Sequence, residues 1–330
     1  RYWDLYNHND IDLPAVPEVP FAELDYLSKA LFFAHGRHRH SVTNNHRLNA
    51  RHAYYAMISY LDEKLGQLLE QLEETGLRDN TVVVFTSDHG EMMGERGMWF
   101  KQCFWEWSAR VPLVISDRRT TQATRIQSNC SLVDLLPTFV ALAGGGDGPL
   151  APTISEMAGH SLVPLLSGET GQWSDCVIAD YLAIGPCVPC RMVKKGTFKY
   201  IFTYGRPDLL FDLGTDPNEL VNLAEDATHL PVLSELQGIC MRGYNPEALM
   251  AKIVTSQRRR SFIANLPGKK PNWDYVAFQG DSDRYVRCDG VDATKSRLRL
   301  PRAETVAPDL PALSSALIDR MMRGEIDFGD

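Results

Sequence analysis

Thr81-Val82-Val83-Val84-Phe85-Thr86-Ser87-Asp88-His89-Gly90 joins an apolar, β-branched run to two metal-ligand side chains and a glycine. The first half predicts a short buried strand of a parallel sheet. The second half puts a carboxylate and an imidazole where that strand stops. Open α/β sheets build their sites at the carboxyl ends of strands, so Asp88 and His89 are candidate ligands of one metal ion. On a regular strand adjacent side chains face opposite ways, and these two reach a common ion only where the strand has ended; Gly90 permits that turn. A carboxylate with an imidazole suits several divalent ions, but two ligands do not complete a site. Lys101, thirteen residues beyond Asp88, adds a cation suited to an anionic substrate.

Upstream, Tyr54, Met57, Ile58, Leu61, Leu65, Leu68, Leu69 and Leu72 recur at three- and four-residue spacing between His46 and Gly76, which predicts a long amphipathic helix. A short turn then leads into the strand, and residues 111–115 supply a second candidate buried strand, so the order reads as a layered α/β domain. Residues 131–143 predict another helix with Ser131 as its cap and Pro137 kinking or breaking it. Residues 1–40, with Pro14, Pro17 and Pro20 and no sustained period, read as an irregular connection. After Trp173 come short strands at 176–182, 191–193, 198–202 and 209–213, with turns at Lys195-Gly196-Thr197 and Tyr204-Gly205-Arg206-Pro207, which predict a small antiparallel sheet. The organisation is therefore an α/β domain over 1–172, a small-sheet subdomain over 173–254, and a Pro- and charge-punctuated tail over 255–330.

The 330 residues are 44% hydrophobic, ample for a core, and the net charge of -8 argues against nucleic acid or an anionic membrane as partner. The longest apolar stretch, 132–143, contains Asp134 and Pro137 and falls short of the roughly 20 residues that span a bilayer. Seven scattered cysteines read as reduced thiols of a cytoplasmic protein. The chain opens on Arg1-Tyr2-Trp3, with neither Met nor a signal peptide, and reads as processed or as the back part of something longer.

The block TSDHGEMMGERGMWFKQ (86–102), the helix ARHAYYAMISYLDEKLGQLL (50–69), WSARVPLVIS (107–116) and PDLLFDLGTDPNELVNLA (207–224) together resemble the arylsulfatase branch of the alkaline phosphatase superfamily. Within it, GEMMGERGMWFKQCFWEWSARVPL (90–113) and NWDYVAFQ (272–279) are most similar to choline sulfatases. The resemblance implies an alkaline-phosphatase-like layered sheet with helices on both faces, a smaller C-terminal antiparallel sheet and an extended tail. It implies sulfate monoester hydrolysis, most readily of choline sulfate, with Asp88 and His89 on one divalent cation, normally calcium, and Lys101 on the sulfate oxygens. A phosphonate monoester or phosphodiester hydrolase of the same superfamily is the alternative, and an inactive module that binds a partner through its tail is a third reading.

Such sulfatases use a formylglycine made from Cys or Ser in C-x-P-S-R and an early Asp pair that completes the metal site; neither sequence occurs here. The expectation is a chain without its nucleophile, inactive alone, whose formylglycine lies on a missing N-terminal part. Cys187-Val188-Pro189-Cys190-Arg191 fits only the looser C-x-P-x-R, follows the metal ligands instead of preceding them, and leads into a strand, so it is rejected as nucleophile. Trp99, Phe100, Phe104, Trp105 and Trp107 suit either packing or a cage for a trimethylammonium group, and Asp180 with Tyr181 is a second candidate for such a headgroup. His35, His38 and His40 lack metal spacing and read as surface histidines. Arg258 to Arg260 reads as a solvated turn, and Trp273, Tyr275 and Phe278 in the tail as contacts in a homo-oligomer.

Overall fold

The computed structural model describes residues 1–118, 123–145, 156–182 and 184–265. Trp273, Tyr275, Phe278 and the rest of the expected oligomerising tail lie outside them. The chain begins with three short 3-10 turns and then forms α1 (Tyr26–Ala34), capped where Asp25 Oδ1 accepts from the Leu27 and Ser28 amides.

The predicted long helix is α2 (Asn44–Glu74), 31 residues or about 46 Å. Thr43 caps it reciprocally: its Oγ1 accepts from the His46 amide and its own amide donates to His46 Nδ1. Gly76, at a φ of 68°, adopts the left-handed conformation that follows its C-terminus. Arg51 and His52 are its buried residues, whereas Met57, Ile58, Leu61 and Leu68 of the apolar stripe are exposed among the described residues.

β1 (Val83–Thr86) and β2 (Leu113–Ser116) are the two predicted strands, but they pair antiparallel, Val83 opposite Ser116 and Thr86 opposite Leu113. The expectation of buried parallel strands is corrected here. A two-stranded ribbon covers little of its own surface, and Phe85 and Val114 remain 43% and 57% exposed. Between the strands lies the one-turn α3 (Glu106–Ala109). The helix predicted over 131–143 begins as a 3-10 turn, Leu132–Asp134, and continues as α4 (Leu135–Leu142). Because α4 starts at Leu135, Pro137 falls in its first turn, where a missing N–H breaks no intrahelical bond, and the expected kink is not needed. A further one-turn helix, α5 (Val163–Leu166), precedes the small sheet.

β3 (Cys176–Tyr181), β4 (Cys190–Lys195), β5 (Phe198–Thr203) and β6 (Leu209–Asp212) form the antiparallel meander that the sequence predicted. Alternation along these strands builds two cores. Val193, Tyr200 and Leu210 pack beneath Leu233, Leu236 and Cys240 of α6 (Leu230–Met241), a helix the sequence reading did not foresee. Met192, Ile201 and Phe211 face the other way, into a cluster with Leu27 and Leu31 of α1 and with Met92, Met98, Cys103, Phe104 and Trp105. α7 (Pro246–Ala264) runs past residue 255, and Arg258 to Arg260 sit exposed on this helix instead of in a turn.

The second cluster is fastened by a buried ion network. Lys199, fully buried on β5, donates from Nζ to Glu106 Oε1 at 2.6 Å, Glu219 Oε1 at 2.7 Å and the Phe104 carbonyl at 2.8 Å. Glu219 Oε2 in turn accepts from the Glu106 amide at 2.9 Å. Burial penalises the charge on Glu106, but Lys199 and Lys194 outweigh it and hold that carboxyl below its ordinary range. At Glu219 burial prevails over Lys199 and the carboxyl is pushed up. The signs differ accordingly. The contribution of Glu106 is present above its unfolded value and lost as pH falls through its depressed one. The cost of charging Glu219 is relieved as pH falls through its raised one. Lys199→Met, which leaves the buried Glu219 carboxylate without its cation and Glu106 with Lys194 alone, should cost about 3–5 kcal/mol at pH 7 in urea unfolding. The deficit should narrow toward pH 5, and an equal deficit at both pH values would show that charge does not hold this joint.

Candidate active site

Thr86 ends β1, its Oγ1 donating to the Pro112 carbonyl at 2.8 Å, and the chain then leaves the sheet. Off the strand, Asp88 and His89 turn toward one another: His89 Nε2 lies 3.5 Å from Asp88 Oδ2, and the His89 amide donates to Asp88 Oδ1 at 3.1 Å. His89 Nδ1 sits 2.8 Å from the Gly90 carbonyl. A carbonyl only accepts, so Nδ1 is the donor there, which leaves Nε2 as the ring nitrogen turned toward Asp88. Both side chains are exposed. No cluster of three or more His, Cys, Asp or Glu that could hold a metal ion occurs among the described residues, so Asp88 and His89 by themselves do not make a metal site.

Gly90 is a steric requirement. A Cβ there would stand 2.0 Å from the Trp107 carbonyl oxygen, because the Gly90 and Glu91 amides donate to the Ser108 and Trp107 carbonyls at 2.8 Å each. Those two bonds draw together the ends of a loop, so that Lys101 belongs to a closed ring whose base is next to His89. Inside the ring four non-glycine residues, Met93, Arg96, Phe100 and Gln102, have positive φ. Each such residue costs on the order of 1–3 kcal/mol and persists only where its surroundings over-determine it.

The surroundings come from the N-terminal residues that the sequence reading treated as a connection. The fully buried Glu95 carboxylate accepts from the Ala15 and Val16 amides at 3.0 and 2.8 Å and from Arg51 Nη1 at 3.4 Å. The Arg96 amide donates to the Val16 carbonyl at 2.9 Å, and the Val19 amide to the Arg96 carbonyl at 3.3 Å. The Arg96 guanidinium lies 3.9 Å from the centre of the Trp105 ring and reaches the Asn218 and Glu219 carbonyls. Glu18 pairs with both Arg37 and Arg47, and Arg51 also pairs with Asp12. Nothing in the one-dimensional pattern marks Glu95, Arg96 or Glu219 as partners of residues up to 123 positions away.

Lys101 is half-buried, and its ammonium makes no ion pair or hydrogen bond with any described residue. The aromatic group beside it divides. Phe104 and Trp105 are core, Trp105 Nε1 donating to Ser28 Oγ at 3.0 Å, while Phe100 and Trp107 are exposed. Trp99 buries its indole N–H without a hydrogen-bond partner among the described residues.

Asp180 and Tyr181 are adjacent on β3 and leave it on opposite faces. Asp180 accepts from Arg191 Nε and Nη2 at 2.6 and 2.9 Å, and the Tyr244 ring lies 3.6 Å from that guanidinium. Tyr181 packs against the cluster that holds Met98 and Cys103, and its hydroxyl donates to the Ile184 carbonyl at 2.7 Å. The two side chains therefore do not converge on one headgroup in this arrangement. The Cys187 and Cys190 thiols are buried, Cys187 lies 2.9 Å from the Tyr26 hydroxyl, and burial pushes Cys190 up to about 12. Neither has the depressed pKa that a reactive thiolate needs.

The profile of the Sulfatase family matches residues 15–145, and that of the N-sulphoglucosamine sulphohydrolase C-terminal family matches residues 94–242. A choline-sulfatase of Rhizobium meliloti is 34% identical over 310 residues, 92% of this chain and 59% of the relative. The chain belongs to the sulfatase family. Arylsulfatase K of Gallus gallus is 32% identical over 182 residues, 52% of this chain and 33% of that protein. The fold is that of a phosphonate monoester hydrolase from Silicibacter pomeroyi, with a TM-score of 0.62 at 22% identity over 73% of this chain and 52% of that one. The sulfatase chain thus spans about three-fifths of the choline-sulfatase it matches. Gly90→Ala should destabilise it by about 1–3 kcal/mol through that overpacking, measured as a lower urea midpoint; an unchanged midpoint would show that residues 107–108 give way freely.

Proposed function

We propose that this chain carries the Asp88, His89 and Lys101 part of a sulfatase that hydrolyses choline sulfate to choline and sulfate. The observation that carries the reading is an imidazole nitrogen and a carboxylate presented together at a strand end, next to a loop whose Lys101 ammonium has no ion-pair partner among the described residues. Asp88 through a carboxylate oxygen and His89 through Nε2 suit a divalent cation, with calcium as the family's usual ion, which when bound would polarise a sulfate oxygen as a Lewis acid. Lys101 serves the same group as a fixed cation. The sulfate ester bears one negative charge over three oxygens, and a preorganised ammonium favours the charge that builds up as the S–O bond to the alcohol breaks. The nucleophile comes from polypeptide outside these 330 residues, as a formylglycine, because neither C-x-P-S-R nor an Asp pair occurs here.

The choline assignment is supported by the 34% identity to a choline-sulfatase along 92% of the chain. Trp99 and Phe100, immediately before Lys101, offer aromatic faces to a trimethylammonium group. Tyr181 sits on the side of β3 that packs toward the same segment, whereas Asp180 could serve only by exchanging its pairing with Arg191. The free thiols among the described residues suit a cytoplasmic setting, and no described helix is long and apolar enough to cross a membrane. Homo-oligomer formation through residues 272–279 belongs to the same reading.

The test compares release of sulfate from choline sulfate and from an aryl sulfate with turnover of an aryl phosphonate, using the protein completed by its in-frame upstream sequence. Choline sulfate should be turned over best, and Lys101→Ala should lower kcat by about 10²–10³, the usual loss for one charge-stabilising group. Dominant phosphonate turnover would replace the substrate assignment, and no hydrolysis of any ester would leave a binding module. Calcium titration should show weak binding to residues 1–330 alone and tight binding to the completed protein, lost in Asp88→Ala.

A further inference from the structure

We infer that His35 is a positioning residue that holds Lys101 in place by gripping the residue on each side of it. Phe100 and Gln102 both lie in the left-handed region, at φ values of 67° and 84°. Both conformations are strained for residues with a Cβ and persist only where the surroundings over-determine them, so the backbone on either side of Lys101 depends on contacts from outside. One contact is internal to the loop: the Met92 amide donates to the Phe100 carbonyl at 2.7 Å. His35 supplies contacts on both flanks. Its ring stands edge-on to the Phe100 ring, centroids 5.1 Å apart at 72°, and its Nε2 lies 2.7 Å from Gln102 Oε1. An amide oxygen only accepts, so Nε2–H is the donor.

His35 is itself anchored. It is the C-cap of α1, its amide bonded to the Leu31 and Phe33 carbonyls, and Gly36 at a φ of 70° turns the chain away after it. Leu27 and Leu31 fix α1 in the cluster that also contains Met92, Met98 and Cys103, so anchor and loop share one rigid core. His35 touches neither Asp88 nor His89 in the hydrogen bonds of the structure, and it acts on the ammonium only through the backbone that carries it. The role assigned to Lys101 rests on the sulfatase reading, but the grip on the loop does not.

The experiment therefore has two arms on His35→Ala and His35→Gln, glutamine having an amide nitrogen that can occupy the place of Nε2. In hydrogen exchange on the full chain, His35→Ala should speed exchange of residues 98–104 about tenfold while the helix at 44–74 is unchanged, and His35→Gln should restore protection. Unchanged exchange at 98–104 overturns the grip, as does equally faster exchange in both segments, which would mean a general loss of stability. In sulfate-ester turnover by the completed protein, His35→Ala should lower kcat at least tenfold, His35→Gln should recover most of it, and His35→Ala should add no further loss in a Lys101→Ala background. A full loss persisting without Lys101, or none with it, overturns the positioning role. If the unaltered protein releases no sulfate, the sulfatase reading fails by itself, and the exchange arm still decides whether His35 holds the loop.

Discussion

The Lys199 ammonium, sealed between Glu106, Glu219 and the Phe104 carbonyl, is the interaction on which the rest of this molecule depends. Its three acceptors come from two separate segments, the loop that follows Asp88 and His89 and the turn that follows the small sheet. A buried charge without those partners would be untenable, so Lys199 forces the segments to meet. An apolar contact of similar area could slide by a residue; a three-way ion network with fixed distances cannot. The strand that carries Lys199 therefore sets the position of residues 104–106, and through them the closure of the loop that carries Lys101.

That loop is costly in itself, with four non-glycine residues at positive φ within ten positions. It is stable because it is contacted from every side by elements remote in sequence. The N-terminal segment binds it through Glu95 and Arg96, α1 binds it through His35 and Trp105, and the small sheet packs beneath Met92, Met98 and Cys103. Strain and over-determination at one loop are what a preorganised cation site needs, since a lysine free to move with solvent would stabilise no particular charge distribution. The small sheet is thus a support for the loop that carries Lys101, and its core continues into residues that precede residue 172.

Much of this architecture was legible in advance. The 3.6-residue spacing between His46 and Gly76 gave α2 within two residues at its start, and short apolar runs bounded by turn residues located the six strands among the described residues to within one or two residues. The stretch 86–102 offered candidate residues through its resemblance to sulfatases, since an Asp-His pair at a strand end is by itself a common combination. What could not be read were the pairings. Val82, Val83 and Val84 look the same whether their strand is central and parallel or half of an exposed antiparallel ribbon, since burial belongs to the neighbours. Residues 1–25 have no periodicity because their order comes from bonds to Glu95, Arg37, Arg47 and Arg51 instead of from a repeating face, and the short α1 at 26–34, which the irregular reading of 1–40 passed over, buries only Leu27, Ser28 and Leu31. His35 looked like a surface histidine because its partner is 67 residues away.

By itself the sequence determined the local elements, the chemical identity of Asp88, His89 and Lys101, and the family to which the chain belongs, because these follow from residue type and short-range spacing. Only the tertiary structure decided that Asp88 and His89 face one another, that Asp180 is engaged by Arg191 while Tyr181 turns to the opposite face, and that α1 and the N-terminal segment brace the Lys101 loop. The physical reason is that side-chain direction and charge pairing are properties of contacts closed across long stretches of chain, and such contacts leave no periodic trace in the residues that make them.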